Sequence, residues 1–439
     1  MEATYALKGL QPLHAVTVDE VKAAEGGSIT LCACIHKIKD MGSFSFVLLR
    51  TGSAVFQSVY EKAECPADLS GFSEGCYVRA TGQVRKEPRA AHGVELRLQT
   101  LTLLSSPAES YPLHVSNRKL GCSLDTNLRH RTVALRNPAE RLPFQISEGV
   151  CTAFRLFMLE QGFTEIHSPK ITAMGAEGGA NLFSLQYFGR DAYLSQSPQF
   201  YKQACVAFFD RVFEIGPVFR AEKHNSTRHL NEYVGLDFEM GYIDSMYDVM
   251  EMETAMLRYI MEYLKGHYAA QLTALGAELP IIGEIPAVTF RQALKILGYS
   301  GKKADLDPED EVRLCEYMKE KRGSDLVFVT HFPSAKRPFY VMDDPENPKQ
   351  AFSFDLLFRG LEITTGGQRI HDYAAQVEKL KRMNMDPEEF STYLSIHRYG
   401  MPPHGGLGIG LERLVQKLLG LDNIRRASLF PRDVNHLEP

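Results

Sequence analysis

RVFEIGPVFRAEKHNSTRHLNEYVGLDFEM, Arg211 to Met240, reads as two short strands, VFEIGPVFRAE and YVGLDFEM, joined by the polar loop KHNSTRHLN. In the second strand Val234, Leu236 and Phe238 fall on one face, and Gly235, Asp237 and Glu239 on the other. The first strand ends on Arg220 and Glu222, again one residue apart and so on one face. One arginine and several carboxylates on a hairpin face, with a basic loop between the strands, suit a polyphosphate plus an amine. A solvated sheet face is the plain alternative. Two later stretches bear on the choice. FDLLFRGLEITTGGQRIH, Phe354 to His371, carries Asp355, Glu362, a turn at Gly366-Gly367 and Arg369. HGGLGIGLERL, His404 to Leu414, is a glycine-rich strand running into a helix with Arg413. Such a junction alone usually marks close packing.

Together and in this order these stretches resemble motifs 2 and 3 of the class II aminoacyl-tRNA synthetases. EGGANLF (177–183), QSPQFYKQ (196–203), FRAEKHNSTRHLNE (219–232), LEITTGGQRIHDY (361–373), YGMPPHGG (399–406) and LFPRD (429–433) are similar to the archaeal and eukaryotic type of aspartyl-tRNA synthetases, which also occurs in some bacteria. The resemblance covers nearly the whole chain. It implies an α+β protein, with an N-terminal OB-fold β-barrel joined to a catalytic domain built on an antiparallel β-sheet flanked by helices. The implied divisions are an anticodon-binding barrel over 1–105, a hinge over 106–139 and a catalytic domain over 140–439, with a mixed insertion at about 270–335 in which the sequence offers no chemistry.

Bulk properties agree with that size and class. A chain of 439 residues exceeds one ordinary domain. Its apolar and charged fractions are those of a globular protein. No run of about 18 apolar residues suggests a membrane span, and MEATYALKGL has no export pattern. Eight cysteines without CxxC pairs suggest reduced thiols and a cytoplasmic location. Cys32 and Cys34 read as small core residues. A formal charge of −5 argues mildly against nucleic acid. Residues 106–141, however, hold six Lys+Arg against Glu109, Asp125 and Glu140, a basic segment able to follow an RNA backbone.

Residues 17–105 read as five short strands: SITLCACIHKIKD, FSFVLLR, AVFQSVY, YVRATGQVRK and VELRLQTLTLL. That number fits an OB-fold, a common reader of single-stranded nucleic acid. By alternation with Phe44 and Leu48, Phe46 would be core. The resemblance instead places Phe46 and Gln57 on the central anticodon base, where aromatic stacking is worth about 1–3 kcal/mol. It places His36, where the tRNA(Asp)-specific enzymes usually carry tryptophan, with Pro88 in RKEPRAAH. That pair is similar to relaxed variants that charge both tRNA(Asp) and tRNA(Asn).

Further along, a helix over about Pro143–Glu160 shows Ile146, Val150, Phe154 and Phe157 at helical spacing and ends at Gly162. With the strand that follows it resembles motif 1, which implies a homodimer. Ser197 is placed to cap a helix carrying Lys202. RPFYVM reads as a strand.

The resemblance implies ATP and L-aspartate as substrates and Mg²⁺ as cofactor. Arg220, Arg369 and Arg413 take the catalytic roles. Glu177, Gln199, Lys202, Asp237 and Arg369 contact aspartate. Arg220, Glu222, Arg228, His229, Leu230, Glu362, Gly410 and Arg413 contact ATP, and Asp355 and Glu362 hold the metal. The chemistry needs no protein nucleophile, only two anions placed in line and their developing charge neutralised. The rival readings are an enzyme specific for tRNA(Asp), an asparaginyl-tRNA synthetase and a non-catalytic RNA-binding relative. Lys202 argues against asparagine, and the intact charged set against the last.

Overall fold

The computed structural model describes residues 16–52, 54–173, 175, 181–300 and 303–438. It divides into two units, Met1–Arg141 and Leu142–Pro439. In the first, strands β1 (Ser28–Asp40), β2 (Ser45–Arg50), β3 (Val55–Tyr60), β4 (Tyr77–Lys86) and β5 (Val94–Ser105) close into a barrel in the order β1-β2-β3-β5-β4. Strands β3 and β5 run parallel, and the other pairs antiparallel. This is the OB-type barrel expected from the sequence.

Period-two alternation sorts its residues. Leu31, Ala33, Ile35, Val47 and Leu49 are buried inside. Cys32 therefore points outward and is exposed, against the expectation of a core residue; Cys34 is buried, with its Sγ 3.8 Å from the Tyr111 hydroxyl. The segment after the barrel lacks helix until Leu124–Arg129 and Arg131–Ala134. It is tied down by side chains: Tyr111 accepts from Arg136 at 2.6 Å, and the Asn137 amide donates to the carbonyls of Val115 and Asn117 at 2.9 and 2.7 Å.

The second unit contains β6 (Thr164–Glu165), β7 (Ile171–Thr172), β8 (Ser184–Tyr187), β9 (Arg190–Leu194), β10 (Arg211–Phe219), β11 (Glu232–Gly241), β12 (Ala287–Thr289), β13 (Leu326–Thr330), β14 (Ser353–Phe358), β15 (Leu361–Gln368) and β16 (His404–Gly410). Its main sheet runs β12-β13-β14-β15-β16-β11-β10-β6. The six inner strands pair antiparallel, and β12 and β6 add in parallel at the two edges. Part of the expected insertion thus belongs to the sheet, since β12 and β13 lie within 270–335.

One sheet face is apolar. Phe213, Leu236, Phe238, Leu407 and Ile409 pack against helices Pro138–Glu160, Met246–His267 and Leu411–Leu419. The first helix begins five residues before the expected Pro143, which sits inside it. Its Ile146, Val150, Phe154 and Phe157 are buried as their spacing predicts. Gly162 has φ +77° and follows the helix, a conformation that glycine adopts without steric cost.

The opposite face carries charge, and glycine makes room for it. Gly406 on β16 stands opposite Glu239 on β11, and Gly408 opposite Asp237. A Cβ on Gly406 would lie 2.2 Å from the Phe238 carbonyl oxygen and 2.3 Å from Glu239 Oε2. Gly366 and Gly367 do not form the expected turn. Both lie in the extended strand β15, where a Cβ on Gly366 would meet the Phe354 ring at 2.4 Å. RPFYVM is not a strand either. It holds only the isolated Val341↔Arg369 bridge, next to a short 3₁₀ turn at Ser334–Lys336.

Two measurements follow from this packing. Gly406→Ala should lower the thermal stability of the second unit by about 1–3 kcal/mol or more, the usual effect of overpacking. Glu253, fully buried, accepts from the Thr364 hydroxyl at 2.6 Å, and burial pushes its carboxyl from 4.5 up to about 8. The fold therefore holds it protonated. That contribution to stability is complete below the unfolded value and is lost as pH climbs to the folded one, at about 1.4 kcal/mol per pH unit. Glu253→Gln should flatten the fall in unfolding free energy between about pH 5 and pH 8.

Candidate active site

The polar face of β11 and β16 opens into a cavity of about 300 Å³ whose lining includes Gln199, Lys202, Arg220, Asp237, Glu362 and Arg369. At its floor two cations and two carboxylates are buried together. Lys202 Nζ donates to Asp237 Oδ1 at 2.9 Å and to the Leu407 carbonyl at 2.8 Å, and lies 3.5 Å from Glu239 Oε2. Arg369 Nε donates to Glu239 Oε1 at 2.8 Å, and its Nη2 to the Gly406 carbonyl at 2.9 Å and to Gln199 Oε1 at 3.3 Å. Burial alone would raise the Glu239 carboxyl, but Arg369 and then Lys202 outweigh it and hold it below its usual range. Burial pushes the Asp237 carboxyl up, while Lys202 pulls the other way. The sequence alone gives Glu239 no role, and its one signal there is the alternation that puts it on the face of Asp237.

The helix that brings Lys202 and Gln199 runs Gln199–Phe209. No side chain caps it: Pro198 occupies the cap position and Ser197 offers only its carbonyl, to the Ser195 hydroxyl at 2.9 Å. Buried Glu214, opposite Asp237 on β10, pairs with half-buried Lys170 Nζ at 2.7 Å and accepts from the Ser168 hydroxyl at 2.6 Å. Gly235 leaves space for Asp237, whose Oδ2 a Cβ there would meet at 2.6 Å.

A second cavity of about 90 Å³ adjoins the first. All eight residues that the resemblance gives to ATP line it: Arg220, Glu222, Arg228, His229, Leu230, Glu362, Gly410 and Arg413. Arg220, Glu362 and Gly410 line both cavities. Arg220 lies just beyond the end of β10, with Glu222 Oε1 at 3.9 Å and the Tyr233 ring centroid at 5.9 Å from its Cζ. Its position is set by the backbone, since its N–H donates to the Asn231 carbonyl and the Asn231 amide donates to the Arg220 and Glu222 carbonyls at 2.7 and 2.8 Å. Arg413 Nη1 donates to the Glu362 carbonyl at 3.0 Å and lies 3.7 Å from its carboxylate. Burial and then Arg413 keep the His229 imidazole below its usual range.

Asp355 is less open than the sequence suggested. Both its oxygens take a bidentate pair from Arg337, at 3.0 and 2.7 Å, and that guanidinium also lies 3.8 Å from the Phe332 ring centroid. Arg337 lines the larger cavity and has no role in the sequence reading. Burial, reinforced by the Glu362 charge, pushes the Asp355 carboxyl up to about 6 against the pull of Arg337. Glu177 lies outside the described residues.

On the barrel, Phe46 is half-buried on the outer face, not in the core, because Val47 and Leu49 point inward. It meets Phe44 edge-on at 5.1 Å and stands opposite Val59, and Lys39 is its partner on β1. Gln57, opposite Leu48, donates to Glu95 at 2.9 Å. His36 occupies the β1 irregularity between Ile35 and Lys37 and is buried. Burial first, then Arg50, lowers its imidazole to about 4, so it is neutral. Pro88 is exposed, in the connection between β4 and β5.

Residues 123–434 match the family described as tRNA synthetases class II (D, K and N), and residues 29–104 the OB-fold nucleic acid binding domain. The chain is 41% identical over 438 residues to a protein of Deinococcus radiodurans named aspartate–tRNA(Asp/Asn) ligase, covering 98% of this chain and 99% of that one. It is 39% identical over 425 residues to a protein of Pyrococcus horikoshii named aspartate–tRNA(Asp) ligase, covering 94% and 97%. Its fold is similar to the crystal structure of asparaginyl-tRNA synthetase from Pyrococcus horikoshii complexed with asparaginyl-adenylate, with TM-score 0.89, 28% identity, and 98% and 100% coverage.

Glu239→Gln tests the buried network. It leaves Lys202 and Arg369 sharing one anion, and breaking a buried ion pair typically costs about 3–5 kcal/mol. Thermal unfolding of the variant is expected well below that of the parent; an unchanged midpoint would remove Glu239 as the shared counter-ion.

Proposed function

The chain belongs to the class II tRNA synthetases, and from that premise we propose that it joins L-aspartate to tRNA through an aspartyl-adenylate, charging both tRNA(Asp) and tRNA(Asn). The observation that carries this is the pair of adjoining cavities. One holds buried Lys202 and Arg369, the other the arginine-rich wall, and Arg220 belongs to both. Lys202 and Arg369 are the match for a side-chain carboxylate. Asp237 pairs with Lys202, and when it turns to the substrate ammonium an amide in the carboxylate's place leaves that lysine unmatched, the kind of polar mismatch that discriminates by about four orders of magnitude. Asp237 accepts from the α-amino group.

The α-carboxylate then attacks the α-phosphorus of ATP and pyrophosphate leaves. Arg220 stands where the two substrates meet, and its planar fork suits the α-phosphate oxygens in the ground state and at the more charged transition state. Arg228, His229 and Arg413 lie along the outer phosphates. In the second step the 3′-hydroxyl of tRNA attacks the adenylate carbonyl and AMP leaves. No described side chain is assigned as base for that step, and a phosphate oxygen is the acceptor we favour.

Asp355 and Glu362 fit Mg²⁺ as hard oxygen donors. Their mutual repulsion, which helps raise the Asp355 carboxyl, is what a divalent cation would relieve. When bound, the ion would neutralise phosphate charge. Among the described residues no group of three or more metal-ligating side chains occurs. A Mg²⁺ held by two carboxylates plus substrate phosphates needs none.

For the anticodon, the outer barrel face presents Phe46 for stacking, Gln57 for hydrogen bonding, and Lys37 and Lys39 for backbone charge. The relaxed tRNA choice is supported by the name of the Deinococcus relative; the Pyrococcus relative's name marks the specific alternative. The helix Pro138–Glu160 and the strand after it form the surface we assign to a homodimer. No described helix is long and apolar enough to cross a membrane, and the proposed location is the cytoplasm.

Side-by-side charging of tRNA(Asp) and tRNA(Asn) transcripts with aspartate tests this reading. Comparable charging of both is expected. Charging of tRNA(Asp) alone would overturn the relaxed choice, and charging of neither would overturn the ligase. Arg220→Ala should lower aspartate-dependent pyrophosphate exchange by about three orders of magnitude or more while leaving the far-UV spectrum unchanged, and Arg369→Ala should abolish exchange together with the stability of its buried pair with Glu239.

A further inference from the structure

One side chain of the stretch 270–335 touches two residues that line the smaller cavity. Glu311 lies on helix Pro308–Arg322, whose Leu314, Cys315 and Met318 pack in the apolar cluster with Val327 and Val329 of β13. Its carboxylate is buried, and a single oxygen, Oε2, accepts from two places: Arg228 Nη2, and the backbone N–H of Glu362 at 3.2 Å. Arg228 comes from the loop after β10 and Glu362 from the start of β15, and both line the smaller cavity. One carboxylate oxygen therefore ties the loop's arginine to the strand that carries Glu362.

The main chain around Arg228 has its own supports. The Arg228 N–H donates to the Ser226 hydroxyl at 3.2 Å, and the Thr227 carbonyl takes the Ile424 N–H at 3.0 Å. Arg425 donates to the Ser226 carbonyl at 3.0 Å and to the Asn225 side chain at 2.7 Å. The loop's path is thus set without Glu311, and what Glu311 controls is the direction of the guanidinium. A guanidinium has five N–H donors in a rigid fork, so a contact through one Nη2 leaves other donors for a second anion.

We propose that Glu311 is a positioning residue, which aims the Arg228 guanidinium at the outer phosphates of ATP. The inference rests on the ATP site proposed above. Without Glu311, Arg228 is a long side chain on a polar loop, and ordering it falls to ATP itself.

Pyrophosphate exchange and direct ATP titration of the wild type, Glu311→Ala, Glu311→Gln, Arg228→Ala and the Arg228→Ala/Glu311→Ala double variant test this. Glu311→Ala should raise KM for ATP about tenfold, the loss of one charge-assisted contact, with KM for aspartate close to wild type. Glu311→Gln keeps an acceptor oxygen for both donors and should recover most of the loss, which also serves if the alanine variant folds poorly. In the Arg228→Ala background, removing Glu311 should raise KM for ATP no further. An unchanged KM in Glu311→Ala, or the same rise with and without Arg228, overturns the proposal. If the wild type binds ATP but exchanges no pyrophosphate, the ligase reading fails, and the ATP titrations alone then decide the role of Glu311.

Discussion

Four charges buried on one sheet face constrain everything around them. Lys202, Asp237, Glu239 and Arg369 are each costly to remove from water, and they are tolerated because each cation has an anion within 3 Å. Their side chains take up the space above β16, which explains why that strand has glycine opposite Asp237 and Glu239. They also explain why a helix must supply Lys202 from above the sheet and why Arg369 sits immediately after β15, where the Val341 bridge holds its backbone. The network is neutral as it stands: two cations balance two carboxylates. A ligand that brings both an ammonium and a carboxylate can exchange partners with it without leaving a net buried charge.

The phosphate side is built differently. Its arginines are half-buried and come from three separate places: the end of β10, the following loop and the helix after β16. The loop between β10 and β11 is held by the chain's last segment. Arg425 pairs with Asp433 and reaches Ser226 and Asn225, and the Arg432 carbonyl accepts the Asn231 N–H at 2.8 Å. Polyphosphate recognition thus depends on residues some 200 positions apart in sequence, braced so that Arg220 and Arg228 start close to where they are needed.

Much of this was legible from local pattern. The hairpin's two strands and faces followed from strict alternation, the apolar stripe Ile146–Phe157 from helical spacing, and the five barrel strands from short apolar runs between turns. Burial of Glu253 was not legible, since a carboxylate among apolar residues looks like a surface position. The residues that escaped, Glu239, Arg337 and Glu311, share one property. Each matters through a partner far away in sequence, respectively Arg369, Asp355 and Arg228, and no local period encodes such a pair. Gly366-Gly367 misled for a related reason: a glycine pair marks a turn as readily as it marks close packing, and only the Phe354 ring and the Phe352 carbonyl decide between them. Phe46 was ambiguous because both faces of a barrel strand can carry apolar residues, one packed and one waiting for a base.

The account turns on Lys202 and Arg369 selecting a carboxylate. Amino-acid-dependent pyrophosphate exchange with L-aspartate and L-asparagine, each measured with ATP in excess, tests that most directly. The buried network predicts exchange with aspartate and a kcat/KM for asparagine lower by about four orders of magnitude. Comparable exchange with both amino acids, or exchange with asparagine alone, would contradict it.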